Sequence, residues 1–353
     1  MPQAEGSGRA AALAPPRAYG APPAAGILRA QAEDFVVEED LGFAPAGAGE
    51  HLLLRVRKHA ANTPWVAQQL ARHAGCRAAE VGYAGLKDRR AIAVQWFSVP
   101  RGGAAAAAWC GVRGAEFEVL EAHAHHRKLP RGALAGNRFR VRIRVAGGDG
   151  AGLAALLGPR LEAIARGGVP NYFGPQRFGR DGANLERAAA APAGLRRAQR
   201  GFMLSAARSL VFNAVLAERV AAASWRTMLP GDLANLDGRG SIFAVDEADA
   251  TIAARGERQE IHPTGPLWGV GSPASHGAVL ELELRTAAQF ATECALCAGA
   301  GMRQERRSLR IAVRELQCET AAESVWLGFR LARGCFATAV LRELVAADEL
   351  NAG

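Results

Sequence analysis

Lysine is nearly missing from this chain: Lys58, Lys87 and Lys128 are the whole set, against a Lys+Arg total of 43 in 353 residues. Arginine supplies almost every other cation, so the lysine at 87, next to an aspartate, points to a site where a compact ammonium is wanted. Long apolar runs are absent too; without about eighteen consecutive apolar residues no helix is expected to span a membrane. Six cysteines (Cys76, Cys110, Cys294, Cys297, Cys318, Cys335) are scattered through the chain, which fits reduced thiols in a cytoplasmic protein. Cys294 and Cys297 have no second pair at zinc-ribbon spacing, and their neighbours Phe290, Ala291, Ala295 and Leu296 read as a helix, so buried or half-buried thiols are expected there rather than a metal. No internal repeat and no nucleotide-binding glycine loop occurs. Residues 1–25 lack the aliphatic core of a signal peptide and read as a flexible Ala/Pro/Gly-rich tail.

What is present is the composition of an ordinary globular protein, 49% hydrophobic and 22% charged, long enough for two domains. The formal net charge of +9 favours a polyanionic partner such as RNA, or an acidic membrane surface. Arginine and alanine richness that reflects genomic base composition is the competing reading of that excess.

The chain is organised around Gly82–Phe97, GYAGLKDRRAIAVQWF. Gly82 and Gly85 bracket a turn, Asp88 stands among Lys87, Arg89 and Arg90, and the β-prone run Ile92–Val99 follows with Val94 and Trp96 expected to face the core. Nearby positive charge and hydrogen bonds favour an ionised carboxylate, which suits a nucleophile or base. On charge pattern alone, a solvated hairpin turn accounts for the same residues.

Around this centre the elements fall in order. Phe35, Val36 and Val37 begin a strand, where Phe35 reads as a core residue. Leu52, Leu54 and Val56 alternate with Leu53, Arg55 and Arg57 in a second strand. Thr63-Pro64 opens a helix as N-cap and first-turn proline, and Gly75 ends it. His123–Arg131, with three histidines and three cations, reads as a phosphate-facing or merely solvated basic loop. Gly136–Val145 has the clearest period-two pattern: Asn137, Phe139, Val141, Ile143 and Val145 lie on one face, with Arg138, Arg140, Arg142 and Arg144 on the other, against RNA phosphates or solvent. Tyr172, Phe173 and Phe178, interleaved with Arg177, fit either stacking on RNA or an aromatic cluster between domains. An Ala/Arg connector is expected over 188–200, a helix over Leu204–Ala222, a turn-rich loop around His262, and strands over 309–313 and 325–331 that return to the first sheet.

Several of these stretches together resemble the TruD family of tRNA pseudouridine synthases. Gly85-Leu86-Lys87-Asp88-Arg89 with Gln95-Trp96-Phe97 resembles the family signature, and Glu33–Glu39, Gly136–Phe139, Asn171–Gly179 and Phe336–Leu344 match further family motifs in the same order, so the resemblance covers roughly 27–344. It implies an α+β fold: a pseudouridine-synthase-like catalytic domain with a mixed, mainly antiparallel sheet, split over 26–162 and 311–353 around an inserted α+β domain, 163–310. It implies that Asp88 is catalytic, that Phe35, Asn137, Phe139 and Phe336 bind the target nucleotide, and that the substrate is uridine 13 of tRNA. Arg29, Lys87, Arg89 and Arg177 are candidate RNA or electrostatic contacts, and the insertion would leave a basic cleft facing Asp88. Three positions depart from the family pattern: Ala93 where threonine is usual, Arg90 where histidine is frequent, and Arg29 where lysine is usual.

The reaction breaks the N1–C1′ bond of a uridine, turns the uracil and joins C5 to C1′, so no cofactor, metal or membrane is expected and no obligate protein partner is evident. The sequence does not choose between attack on the sugar, attack on the base, and a glycal route. Two alternatives belong to other classes: a non-catalytic tRNA-binding or RNA-folding protein on the same scaffold, and a metal-dependent hydrolase or nuclease, for which no second carboxylate stands beside Asp88 in the sequence.

Overall fold

The alternation in Gly136–Arg144 is realised as a central strand, with Phe139, Val141 and Ile143 buried on one side and the arginines turned to the other. The protein is described by a computed structural model over residues 9–103, 105–145, 148–179, 183–185 and 197–346. It is a mixed α+β fold whose chain divides into two units, Ala25–Leu156 with Arg314–Gly334, and Met1–Ala24 with Leu157–Val313 and Cys335–Gly353. The crossing from the first to the second falls within the helix Gly150–Gly167.

The first unit is built on a ten-stranded sheet. Its order is Arg314–Ala321, Ser324–Ala332, Gly136–Arg144, Phe35–Asp40, Ile92–Pro100, His51–Lys58, Phe117–His125 and Arg113–Gly114, with Ile27–Leu28 and Gly82–Tyr83 added at the side. Only Phe35–Asp40 and Ile92–Pro100 run parallel, so the sheet is mixed. The helix Thr63–Ala74 has Asn62, not Thr63, as its N-cap residue and ends at Gly75, whose φ of 64° is the left-handed conformation that glycine supplies without strain. It packs Val66, Ala67, Leu70 and Ala71 against Leu52, Leu54, Val56, Phe97 and Val99. Each valine, leucine or phenylalanine among these contributes about 1.5–3 kcal/mol by leaving water.

The strand Ile92–Pro100 is inverted relative to its expected phase. Ala93, Gln95, Phe97 and Val99 point inward, while Val94 and Trp96 are half-buried on the opposite face. A polar Gln95 on the inner side conceals the true alternation.

In the second unit the helix Arg197–Ala221 lies at the core, burying Ala206, Leu210, Val211, Phe212 and Leu216 with Tyr172, Phe173 and Phe178. A four-stranded antiparallel sheet, Ile242–Ala244, Leu233–Leu236, Ile261–Leu267 and Glu305–Ser308, accompanies it. Arg219 and Asp232 form a wholly buried ion pair at 2.9 Å. The expected tail is packed from residue 9 on: Ala12 is fully buried, and the Tyr19 hydroxyl donates to the Gly168 carbonyl at 2.7 Å. His262 lies in a strand, with Asp237 2.9 Å from its Nε2. Of the strand expected over 309–313 only Arg310–Ile311 forms, paired with Val169–Pro170 just after Glu305–Ser308 of this sheet, so the return to the first sheet begins only at Arg314. Of the expected connector, residues 188–196 lie outside the described residues.

Candidate active site

Two rows of side chains cross the inner face of the first sheet. Backbone register sets Lys58 opposite Ala93, Ala93 beside Val37, Val37 beside Phe139, and Phe139 opposite Phe329. The next row along sets Val56 opposite Gln95, and Glu39 opposite Asn137, which pairs on its other side with Leu331. Because side chains two residues apart share a face, Gln95, Glu39 and Asn137 form a polar layer beside a row that is apolar apart from Lys58. Gly136, at the start of this strand, has no room for a side chain, since a Cβ would stand 2.3 Å from the Leu331 carbonyl oxygen.

Asp88 is carried on the loop between Gly82–Tyr83 and Ile92–Pro100, with its side chain 52% exposed. Arg29 Nη2 lies 3.4 Å from its Oδ2, and the Arg29 guanidinium sits 4.1 Å from the centre of the Phe35 ring. Phe35 meets Phe139 edge-on at 6.0 Å, and Phe139 stacks on Phe329 at 5.3 Å. Arg29 adopts φ 56°, a conformation that non-glycine residues avoid. Burial lowers its pKa, opposed by the Asp88 carboxylate. Asn137 is buried, and its Oδ1 has no hydrogen-bond partner. Both oxygens of the neighbouring Glu39 are taken, one by the Lys87 ammonium at 2.5 Å and the other by the Trp96 N–H at 2.9 Å.

Lys87 therefore turns inward to a buried carboxylate rather than out beside Asp88. Arg89 is exposed and donates through Nε to the Ala60 carbonyl at 2.8 Å. Arg177 and Phe336 belong to the second unit. There Arg177 donates to the Ser205 hydroxyl at 2.9 Å and lies 5.2 Å from the Phe173 ring, while Phe336 precedes the helix Ala337–Leu344 and is 39% exposed. Of the departures from the family pattern, Ala93 is fully buried next to Lys58 and Arg90 is exposed.

Other candidates for RNA contact have partners inside the fold. Tyr172, Phe173 and Phe178 are buried in the second unit's core. The arginine row is paired: Arg138 with Glu315, Arg140 with Glu319 at 3.2 Å, Arg142 with the Ser324 hydroxyl at 2.8 Å, and Arg144 with Asp34 at 2.7 Å. His123 and His125 are in a strand rather than a loop, and His125 is buried against Phe43.

Sequence reasoning overlooked the residues that hold the Asp88 loop. Thr63 Oγ1 accepts the Lys87 N–H and donates to Gln95 Oε1, both at 3.0 Å, and Gln95 Nε2 donates to the Gly85 carbonyl at 2.6 Å. Lys58 reaches the same loop from beneath. The available signal was polar residues at inward positions of otherwise apolar strands.

This geometry can hold a planar ring against Phe35 and Phe139, offer it an acceptor at Asn137, and present a carboxylate to it. Comparisons with known proteins converge on one family. A family model for tRNA pseudouridine synthase D (TruD) matches residues 16–186 and 182–344. The chain is 45% identical to tRNA pseudouridine synthase D of Nitrosococcus oceani over 343 residues, 94% of each chain. It is likewise 45% identical to that of Methylococcus capsulatus, again over 94% of each. In fold it is similar to a protein of Methanosarcina mazei solved as a candidate tRNA pseudouridine synthase D, with a TM-score of 0.72 at 20% identity, covering 94% of this chain and 95% of the other.

Proposed function

The chain belongs to the TruD family of tRNA pseudouridine synthases, and on that premise we propose that Asp88 is its catalytic residue, acting on a uridine held by Phe35, Asn137 and Phe139. The protein is an isomerase that makes pseudouridine 13 in tRNA. The first unit then corresponds to most of the catalytic domain of pseudouridine synthases, and the 163–310 part of the second to the family's insertion. Acting on tRNA, the enzyme works in the cytoplasm; among the described residues no helix is long and apolar enough to cross a membrane.

The reaction conserves every atom. The N1–C1′ bond breaks, the uracil turns, C5 bonds to C1′, the proton on C5 leaves and N1 gains one. A uridine in a folded tRNA must leave its stack to reach a side chain, and aromatic surfaces are suited to hold the flipped base. The observation that carries the reading is the unpartnered Asn137 Oδ1, buried on the same sheet face as Phe139 and aimed at no protein donor. Uracil offers N3–H, the donor such an acceptor lacks. Arg29 lies between the Asp88 carboxylate and the Phe35 ring, so one side chain orients both.

The test is to incubate uridine-labelled tRNA with the wild type and with Asp88→Asn, then map pseudouridine by position. Product at position 13 alone for the wild type, and none for the variant although it still binds tRNA, is expected. Equal product from both proteins overturns the role of Asp88, and tRNA binding without product from the wild type overturns the activity.

A further inference from the structure

We propose that Lys58 is the positioning residue for Asp88: its buried side chain fixes the backbone of the loop from which the carboxylate projects. The inference rests on the reading of Asp88 as catalytic and adds a group that touches neither the substrate nor the reacting atoms.

Lys58 ends the strand His51–Lys58 and is 0% exposed, the second largest of the fully buried side chains. Its Nζ donates to three carbonyl oxygens, those of Ala61 at 2.8 Å, Asp88 at 3.0 Å and Lys87 at 3.3 Å. Two of these belong to consecutive residues of the active loop, and the third to the segment leading into the helix Thr63–Ala74. One ammonium thus ties the loop to the strand behind it and to the start of the helix.

The residue type fits this task. An ammonium has three donors on one tetrahedral nitrogen, which suits three carbonyls converging from different directions. A guanidinium is a flat fork matched to planar bidentate acceptors, and this chain uses arginine nearly everywhere else. Burial lowers the pKa of Lys58 to about 8, with Asp88 and Glu39 favouring its charge and Lys87 opposing it. At neutral pH the ammonium, with its full set of donors, predominates.

The one polar contact of the Asp88 side chain among the described residues is the 3.4 Å approach of Arg29, so its direction depends largely on the backbone that carries it. Thr63, Gln95 and Glu39 secure Gly85 and Lys87; Lys58 reaches the carbonyl of Asp88 itself. Losing it frees the loop at the position where geometry matters to the chemistry. A misplacement of about 1 Å in a reacting group can cost around 100-fold in rate.

The experiment compares Lys58→Met and Lys58→Gln with the wild type and Asp88→Asn, measuring kcat and KM on unmodified tRNA together with thermal unfolding. The expected result is a roughly 100-fold fall in kcat with KM within about 3-fold and a cooperative unfolding transition retained, with Lys58→Gln less impaired because an amide restores some donors. A folded Lys58→Met with wild-type kcat overturns the proposal. So does loss of the folded state in both variants, since Lys58 would then serve the fold as a whole. If Asp88→Asn is active, the reading of Asp88 fails whatever Lys58 does; if Asp88→Asn is inactive and the folded Lys58 variants are unimpaired, only the inference about Lys58 fails.

Discussion

Replacing Asn137 by leucine separates a residue kept for substrate from one kept for the fold, because the two roles give opposite signs. Asn137 is buried between Glu39 and Leu331 on the sheet, and its Oδ1 has no partner. An unsatisfied buried acceptor costs about 1–3 kcal/mol. Leucine has the same branching, removes that cost and adds apolar contact next to Leu331, while its larger bulk returns about 1 kcal/mol of overpacking strain. The net effect is a stabilisation of up to about 2 kcal/mol. For a unit of roughly 150 residues this raises the unfolding midpoint by up to about 8 °C, which scanning calorimetry resolves. In tRNA assays the same variant loses the hydrogen bond to the flipped base, and kcat/KM falls by about 10–100-fold. Asn137→Leu that is destabilised by more than about 1 kcal/mol would mean that the amide is bonded within the fold, and wild-type kcat/KM would mean that it never meets the substrate. Either outcome refutes the reasoning.

Two further outcomes are expected. Arg29→Gly relieves a left-handed backbone whose cost is of order 1 kcal/mol and loses the stacking on Phe35, so the unfolding midpoint should stay nearly constant while kcat/KM drops about 10-fold; a large loss of stability would show Arg29 to be a structural residue. Lys58 has a folded-state pKa of about 8 against an ordinary 10.5. Between those values the unfolded chain holds the proton and the folded one does not, so this residue's contribution to stability rises with pH across that window, by about 3 kcal/mol in all. Denaturant unfolding of the wild type and Lys58→Met from pH 7 to 10.5 should show the difference between them moving in the wild type's favour, and a pH-independent difference would refute it.

The sequence made the site's chemistry legible where it is written contiguously. The loop around Asp88, the Asn137–Phe139 alternation and the Gly75 helix stop all depend on residues a few positions apart. The supporting shell was not legible because its partners meet only through sheet register. Lys58 lies thirty positions from the Asp88 carbonyl it holds, and Gln95 read as an outward residue because alternation was judged by polarity, although its amide is consumed inside by Thr63 and Gly85. The Ala/Pro-rich start read as loose because small residues carry little hydrophobic signal, yet Ala12 packs into the second unit's core. Tyr172, Phe173 and Phe178 fitted two readings because an aromatic among glycines looks the same whether it waits for a base or fills an interior.

The pairing of the arginine row changes how the chain's basicity should be counted. Arg138, Arg140 and Arg144 are each matched by a carboxylate within the first unit, so this surface is close to electrically balanced despite its four guanidinium groups. The steepness with which added salt weakens RNA association follows the number of phosphates neutralised, not the number of arginines. A ribbon of cations that already has its counterions built in releases few from the nucleic acid, and tallying basic residues along this strand would overstate the ionic sensitivity of the enzyme.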